Sequence, residues 1–196
     1  MTVSRREANK IKCRKDILKA SRRLFKEKGY DDTMIEDVAE KAGISKATLY
    51  NYFPNKESLL AGTVDEQISA IQRYMENIGS TGSYDKLVQI LEFLVIDSVP
   101  FIDVSRRVMY LNACENSPMY GKINEAKELL KLIVDRAKDE GVFREDIYSI
   151  EIVEMLMSIY LNSQFQWKDI ENLTENQIRE RINRMLDLTL SGCFNQ

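Results

Sequence analysis

Residues 33–60 read Thr33-Met34-Ile35-Glu36-Asp37-Val38-Ala39-Glu40-Lys41-Ala42-Gly43-Ile44-Ser45-Lys46-Ala47-Thr48-Leu49-Tyr50-Asn51-Tyr52-Phe53-Pro54-Asn55-Lys56-Glu57-Ser58-Leu59-Leu60. This order predicts a helix, a tight turn, a short helix and the start of a third. Thr33 and Glu36 have the spacing of a capping box, in which each side chain takes a backbone N–H orphaned at the helix start. Ile35, Val38, Ala39 and Ala42 then make one apolar face at helical period. Gly43 suits a left-handed helix end, because it has no Cβ to clash. Ser45 is a good N-cap for the second helix, with Ile44 and Leu49 at the spacing of a hydrophobic staple. Pro54 stops that helix and Asn55 caps the next. The pattern is a helix-turn-helix.

With Leu49 inward, at about 100° per residue, Ser45, Tyr52 and Phe53 lie within about 60° of it. Ala47 and Asn51 point away, flanked by Thr48 and Tyr50, with Lys46 at the N-terminal rim. Such a face suits a DNA major groove, where Asn pairs with adenine and hydroxyls reach phosphates. An ordinary solvent-exposed turn of helix has the same period, so geometry alone leaves both readings open.

The run Ala42–Leu59 resembles the DNA-binding signature of the tetracycline-repressor (TetR) family of bacterial transcriptional regulators. Its most specific part is Thr-Leu-Tyr-x-Tyr-Phe-x-x-Lys-x-x-Leu at Thr48–Leu59, and Leu24, Phe25, Gly29 and Tyr30 match as well. The close match covers roughly residues 15–62. Ala47 stands where many members have Gly, and is nearly as small. The resemblance implies an all-α chain of about nine helices with a short third one. A helix-turn-helix head would occupy residues 1–61, and an effector-binding and dimerisation domain residues 62–196. Thr33, Tyr50, Tyr52 and Lys56 match positions that serve phosphates. Lys46, Ala47, Thr48 and Asn51 are the expected base readers, and Ser45 completes the set. The implied partners are a double-stranded operator, an unidentified small-molecule effector and a second copy of the chain.

Charge is polarised along the sequence. Residues 1–61 hold 14 basic and 9 acidic side chains, and residues 62–196 hold 14 and 22. A basic segment joined to an acidic body is the polarity expected when one end faces phosphates. Arg5, Arg6, Lys10, Lys12, Arg14 and Lys15 read as a flexible basic arm along the backbone or in the minor groove, or as a solubilising tail. Ile17, Leu18, Ser21, Leu24 and Phe25 then mark an amphipathic helix over about Lys10–Lys28, ended by Gly29.

Beyond Asn55 a long helix carries Leu60, Val64, Ile68, Ile71, Met75 and Ile78, the natural lever between head and body. Gly79-Ser80-Thr81-Gly82 breaks it. Further helices are expected from Ser83 to about Val99, before Pro100, and over Val104–Ala113. Others span Tyr120–Glu140, after the turn Asn116-Ser117 with Pro118 at a first helical position, and Ile147–Lys168 after an Asp146 cap. The last opens at a Thr174–Gln177 capping box and runs to Ser191. The turn Gly141–Asp146 resembles the family's lead-in to its eighth helix. Ile152, Val153, Leu156, Met157, Tyr160, Leu161 and Phe165, with Ile178, Ile182, Met185 and Leu186, make the last two helices apolar. In the resembled family such helices pair across a two-fold axis; intramolecular core is the other reading. Two-fold symmetry places two recognition helices about 34 Å apart, one DNA turn.

Phe93, Phe101, Met109, Tyr110, Tyr160, Phe165 and Trp167 are the candidate effector-pocket residues, each also explicable as core. Asp97, Glu151 and Glu154 read as a solvated face or as contacts to a cationic ligand. The chain has no histidine, which removes Ser-His-Asp and Cys-His catalysis and mixed Cys/His metal sites. No Gly-rich phosphate loop occurs, and Asp31-Asp32 falls beside a turn. The expectation is therefore no enzyme, no cofactor and no metal. Three scattered cysteines suit a reducing cytoplasm. No run of about 18 apolar residues suggests a membrane span. A helical protein-interaction module and an all-α carboxylate hydrolase are the alternatives.

Overall fold

The computed structural model describes residues 4–77, 79 and 82–195. Among these the chain is all-α, with nine α-helices: α1 Arg5–Lys28, α2 Ile35–Lys41, α3 Lys46–Tyr52, α4 Lys56–Asn77, α5 Ser83–Ser98, α6 Ile102–Asn112, α7 Lys122–Asp139, α8 Ser149–Phe165 and α9 Glu175–Leu190. Two 3-10 turns, Val99–Phe101 and Ile170–Asn172, complete it. No described helix is long and apolar enough to cross a membrane. Ile78, Ser80 and Thr81, expected at the end of α4 and in the break after it, lie outside the described residues.

Two compact units divide the chain. The first holds the described residues up to Gln67 together with Asp103–Tyr120. The division therefore differs from a simple cut at residue 61: α6 and the turn after it join the head. Its core is built by Ile17, Leu18, Leu24 and Phe25 of α1, Val38 and Ala39 of α2, Leu49 of α3, and Leu59 and Leu60 of α4, all buried. Val104, Leu111 and Met119 add buried apolar groups from the second segment.

The basic N-terminal residues are not a flexible arm. Ser4 accepts the Glu7 N–H at 3.2 Å and starts α1 at Arg5. No Gly or Pro interrupts the next 24 residues, so the helix simply propagates outward from its packed half. Arg14, one of the expected arm residues, is held against Asp65 (3.7 Å) and over the Phe53 ring (5.0 Å).

Gly62 lies in α4 where no side chain fits. An added Cβ would sit 2.7 Å from Phe53 Cε1 and 2.9 Å from Leu18 Cδ2. Alanine gains about 1 kcal/mol of helix propensity over glycine, while overpacking costs about 1–3 kcal/mol. Phe53 is 2% exposed and cannot swing into solvent. Gly62→Ala is therefore expected to lower the urea midpoint, against the usual sign for Gly→Ala in a helix; a raised midpoint would show that the ring yields.

In the second unit α5 packs on α7, α8 and α9. Leu87, Ile90, Leu91 and Val95 of α5 are buried, as are Ile133 and Val134 of α7, Ile152, Leu156 and Ile159 of α8, and the row Ile178, Ile182, Leu186, Leu190 of α9. Several buried polar groups within it are paired. Glu92, 7% exposed, is paired with Arg179, and Gln164 donates to Ser98 and Ser163 Oγ at 2.9 Å. Glu140, at the end of α7, caps α5 by accepting from Ser83 N–H (2.9 Å) and Oγ (2.6 Å). These bonds hold its carboxyl below the usual range.

Several helix starts differ from the local signals. Pro118 is in a turn, and α7 begins only at Lys122, because Gly121 at φ 71 cannot be helical. Asp146 does not cap α8. It takes the Arg144 guanidinium at 2.9 Å, and Glu151 instead accepts the Tyr148 N–H at 3.0 Å. α8 ends at Phe165 rather than Lys168. The Thr174–Gln177 box forms as expected.

Candidate nucleic-acid interface

The turn between α2 and α3 is fixed by its backbone. Gly43 takes φ 67, Gly43 N–H bonds Glu40 O at 3.0 Å, and Ile44 N–H bonds Ala39 O at 3.0 Å. That pair is the Schellman closure, and it needs the left-handed residue that only glycine adopts without strain. Ser45 Oγ then accepts the Thr48 N–H at 3.1 Å and starts α3. Asn55 Oδ1 accepts from Ser58 N–H at 2.7 Å, and Ser58 Oγ accepts from Asn55 N–H at 3.2 Å, so α4 opens on a reciprocal cap.

Within α3 the buried residue is Leu49, 1% exposed. Lys46, Ala47, Tyr50 and Asn51 are exposed and Thr48 is half-buried. The short helix is thus clamped from behind and presents a cation, a methyl, a phenol and an amide to solvent. Lys46 lies 3.8 Å from Glu36 on the preceding helix, an exposed pair that a stronger anion can displace.

Other expected contact residues have their polar groups engaged within the protein. Thr33 is 2% exposed, and its hydroxyl donates to Gly29 O at 2.7 Å, closing the α1–α2 turn. The Thr33–Glu36 box does not form: Met34 takes the N-cap position of α2 without a side-chain bond. Thr33 thus offers no hydroxyl to a phosphate. Ser45 and Thr48 hydroxyls bond each other at 2.8 Å. Tyr52 is half-buried with its hydroxyl against the Cys13 thiol, and that contact, then burial, raises its pKa. Lys56 donates to Asp31 O at 2.9 Å and sits 4.4 Å over the Tyr30 ring. Burial there pushes its pKa down.

The unit also contains contacts that no local pattern indicates. Arg107 of α6 lies 5.5 Å from the same Tyr30 ring and 5.6 Å from the Tyr110 ring. Ser117 Oγ donates to Glu57 at 3.2 Å. Burial and the Glu57 charge raise the Tyr30 pKa. Tyr30 was marked by motif alone; Arg107 and Ser117 carried no signal.

The candidate pocket residues are divided between the two units. Met109 and Tyr110 belong to the first unit and the other five to the second. Tyr110 and Phe165 are exposed, and Tyr160 is buried. Trp167 is 3% exposed, bonds Asn162 Oδ1 at 2.8 Å and carries Arg181 at 4.4 Å over its ring. Phe93 stacks on Tyr74 at 4.8 Å, and Phe101 is half-buried. A cleft of about 470 Å³ opens instead among Gln72, Met75 and Glu76 of α4, Ser83 and Lys86 of α5, and Leu129, Ile133 and Arg136 of α7.

Residues 17–63 match the model of the bacterial regulatory proteins of the tetR family. The biofilm operon icaADBC HTH-type negative transcriptional regulator IcaR of Staphylococcus aureus is 29% identical over 187 residues, covering 85% of this chain and 93% of its own. The HTH-type transcriptional repressor KstR of Mycobacterium tuberculosis is 24% identical over 183 residues, 90% of this chain and 78% of its own. Among solved structures, Thermus thermophilus FadR, a TetR-family transcriptional repressor in complex with lauroyl-CoA, superposes with a TM-score of 0.70 at 18% identity, covering 93% of this chain and 96% of that one. Head motif, helix order and full-length relatives agree: residues 17–63 form a tetR-family DNA-binding head, and the chain as a whole is similar to TetR-family transcriptional regulators.

Proposed function

We propose that this regulator represses transcription in the cytoplasm by binding a palindromic operator as a homodimer, and that a small molecule held in its second unit releases it. The observation that carries the reading is the outward face of α3, with Lys46, Ala47, Tyr50 and Asn51 exposed behind a capped and buried back. The sign of regulation is supported by relatives named as a negative regulator and a repressor. Leu161 and Phe165 on α8 and Leu188 on α9 are large apolar side chains left exposed by the single chain, which favours a subunit interface on those helices. The cleft beside Lys86 and Arg136, with Met75, Leu129 and Ile133 as its apolar wall, suits a partly apolar effector bearing an acidic group. The lauroyl-CoA in the FadR structure is a precedent for such an amphiphile. An effector releases DNA only if it favours the spacing of heads that does not fit successive grooves.

Selection of bound duplexes from random DNA tests the reading: a two-fold motif should be enriched, and no enrichment at low ionic strength would reject it. On that motif Asn51→Ala is expected to cost about 1–3 kcal/mol at one base pair and little elsewhere. Binding titrations on single-base variants check this; a uniform loss across all of them would move Asn51 to a phosphate role.

A further inference from the structure

The solvent side of α1 is a single-sign surface that the α3 reading does not use. Projected at about 100° per residue, nine positions of the helix and its cap fall within the sector opposite the buried Ile17, Ser21 and Leu24: Ser4, Arg5, Ala8, Lys12, Lys15, Lys19, Arg22, Arg23 and Lys26. Seven of the nine are cationic and none is a carboxylate. Glu7, Asp16 and Glu27 fall outside the sector, Glu27 reaching in to pair with Arg23 at 2.7 Å. Lys12, Lys15, Lys19 and Lys26 are exposed and have no carboxylate partner among the described residues. From Arg5 to Lys26 the row runs about 32 Å, nearly one turn of duplex.

Such a row is unfavourable on its own. Lys12–Lys15, Lys15–Lys19, Lys19–Arg23 and Arg22–Lys26 are like-charge pairs at i,i+3 or i,i+4, which destabilise a helix. A polyanion alongside relieves that repulsion. A lipid surface does not fit, because the apolar side of α1 is buried in the head and the sector itself holds nothing apolar larger than Ala8. A protein partner fits poorly too: the sector has no aromatic anchor, and lysine is depleted at protein interfaces. Binding by counterion release requires only cations spaced along a backbone.

We infer that the outer face of α1, Lys12, Lys15, Lys19 and Lys26 above all, holds duplex DNA lying beyond the half-site engaged by α3. This rests on the DNA-binding reading of the head. The sector is opposite the buried face by which α1 packs on α2, so the phosphates assigned to it lie outside the groove that α3 fills. They belong to flanking duplex that bends back towards the head.

The test uses the full chain and a duplex from the selection described above, trimmed to about 20 bp and extended with scrambled flanks to about 60 bp. The wild type is expected to bind the longer duplex with a steeper dependence on salt. The variant K15Q/K19Q/K26Q keeps good helix formers. It should hold the short duplex as the wild type does, yet lose about five units of salt slope on the long one, at about 0.9 for each of the six cations a dimer loses. The triple Lys→Arg variant should restore it. Equal wild-type slopes on both lengths, an equal loss on both, or no loss on either would each overturn the assignment. Failure of the wild type on the short duplex would instead reject the reading of α3, and this inference with it.

Discussion

Leu49→Ala is expected to abolish DNA binding while leaving every outward residue of α3 in place. Seven residues make two turns of helix, too short to persist without a tertiary anchor, and Leu49 is the buried residue of this one. The Ser45 cap and the Phe53 N–H bond to Leu49 O, at 2.9 Å, close its ends but hold it to nothing. Truncating a fully buried leucine costs about 2–5 kcal/mol, a large share of the roughly 5–15 kcal/mol that keeps a domain folded. Urea unfolding should show the loss in the head, and mobility-shift titration on the selected duplex should show no complex at concentrations that saturate the wild type. Asn51→Ala is the contrast, with an unchanged midpoint and altered sequence preference. An unchanged midpoint for Leu49→Ala would mean that the cap and the turn alone hold α3, and the account of the head would fail.

What could be read from the chain divides by distance along it. The Gly43 closure, the Ser45 cap, the Pro54 stop and the Asn55 cap each involve groups a few residues apart, and all four form. Where two local signals competed, backbone geometry decided. Gly121 at φ 71 overrode Pro118 as the start of α7, and the Gly29 carbonyl took the Thr33 hydroxyl that a capping box would have used. Asp146 was claimed by Arg144, a residue the pattern of caps does not consult. Pairings from far along the chain left no trace. Arg107 reaches Tyr30 from 77 positions away and Ser117 reaches Glu57 from 60, both within the first unit. The candidate pocket residues carry the same ambiguity: aromatic content marks core as readily as cavity, and the cleft in the second unit is lined by Met, aliphatic, polar and charged side chains.

Phe143→Ala is expected to cost the second unit about 3–5 kcal/mol, the range for emptying a buried aromatic site. Phe143 is fully buried, its ring 5.5 Å from Phe194 and edge-on to Tyr84 at 6.1 Å. It also centres a clasp between the α7–α8 link and the tail after α9. Arg144 N–H bonds Cys193 O at 2.9 Å, and Asn195 N–H bonds Val142 O at 3.1 Å. The Asn195 amide donates to Gly141 O at 2.7 Å and Phe143 O at 3.1 Å. The clasp ties the start of α8 to the end of α9, the two helices proposed to form the subunit interface. Losing the ring should therefore lower the melting temperature and loosen self-association together. Leu188→Ala separates the two effects. Leu188 is 82% exposed in the single chain, so its truncation should leave monomer stability within about 0.5 kcal/mol yet shift the dimer towards monomer on dilution. Thermal unfolding with sedimentation at falling concentration reads both. An unmoved melting temperature for Phe143→Ala would reject the clasp, and unmoved association for Leu188→Ala would remove α9's exposed face from the dimer.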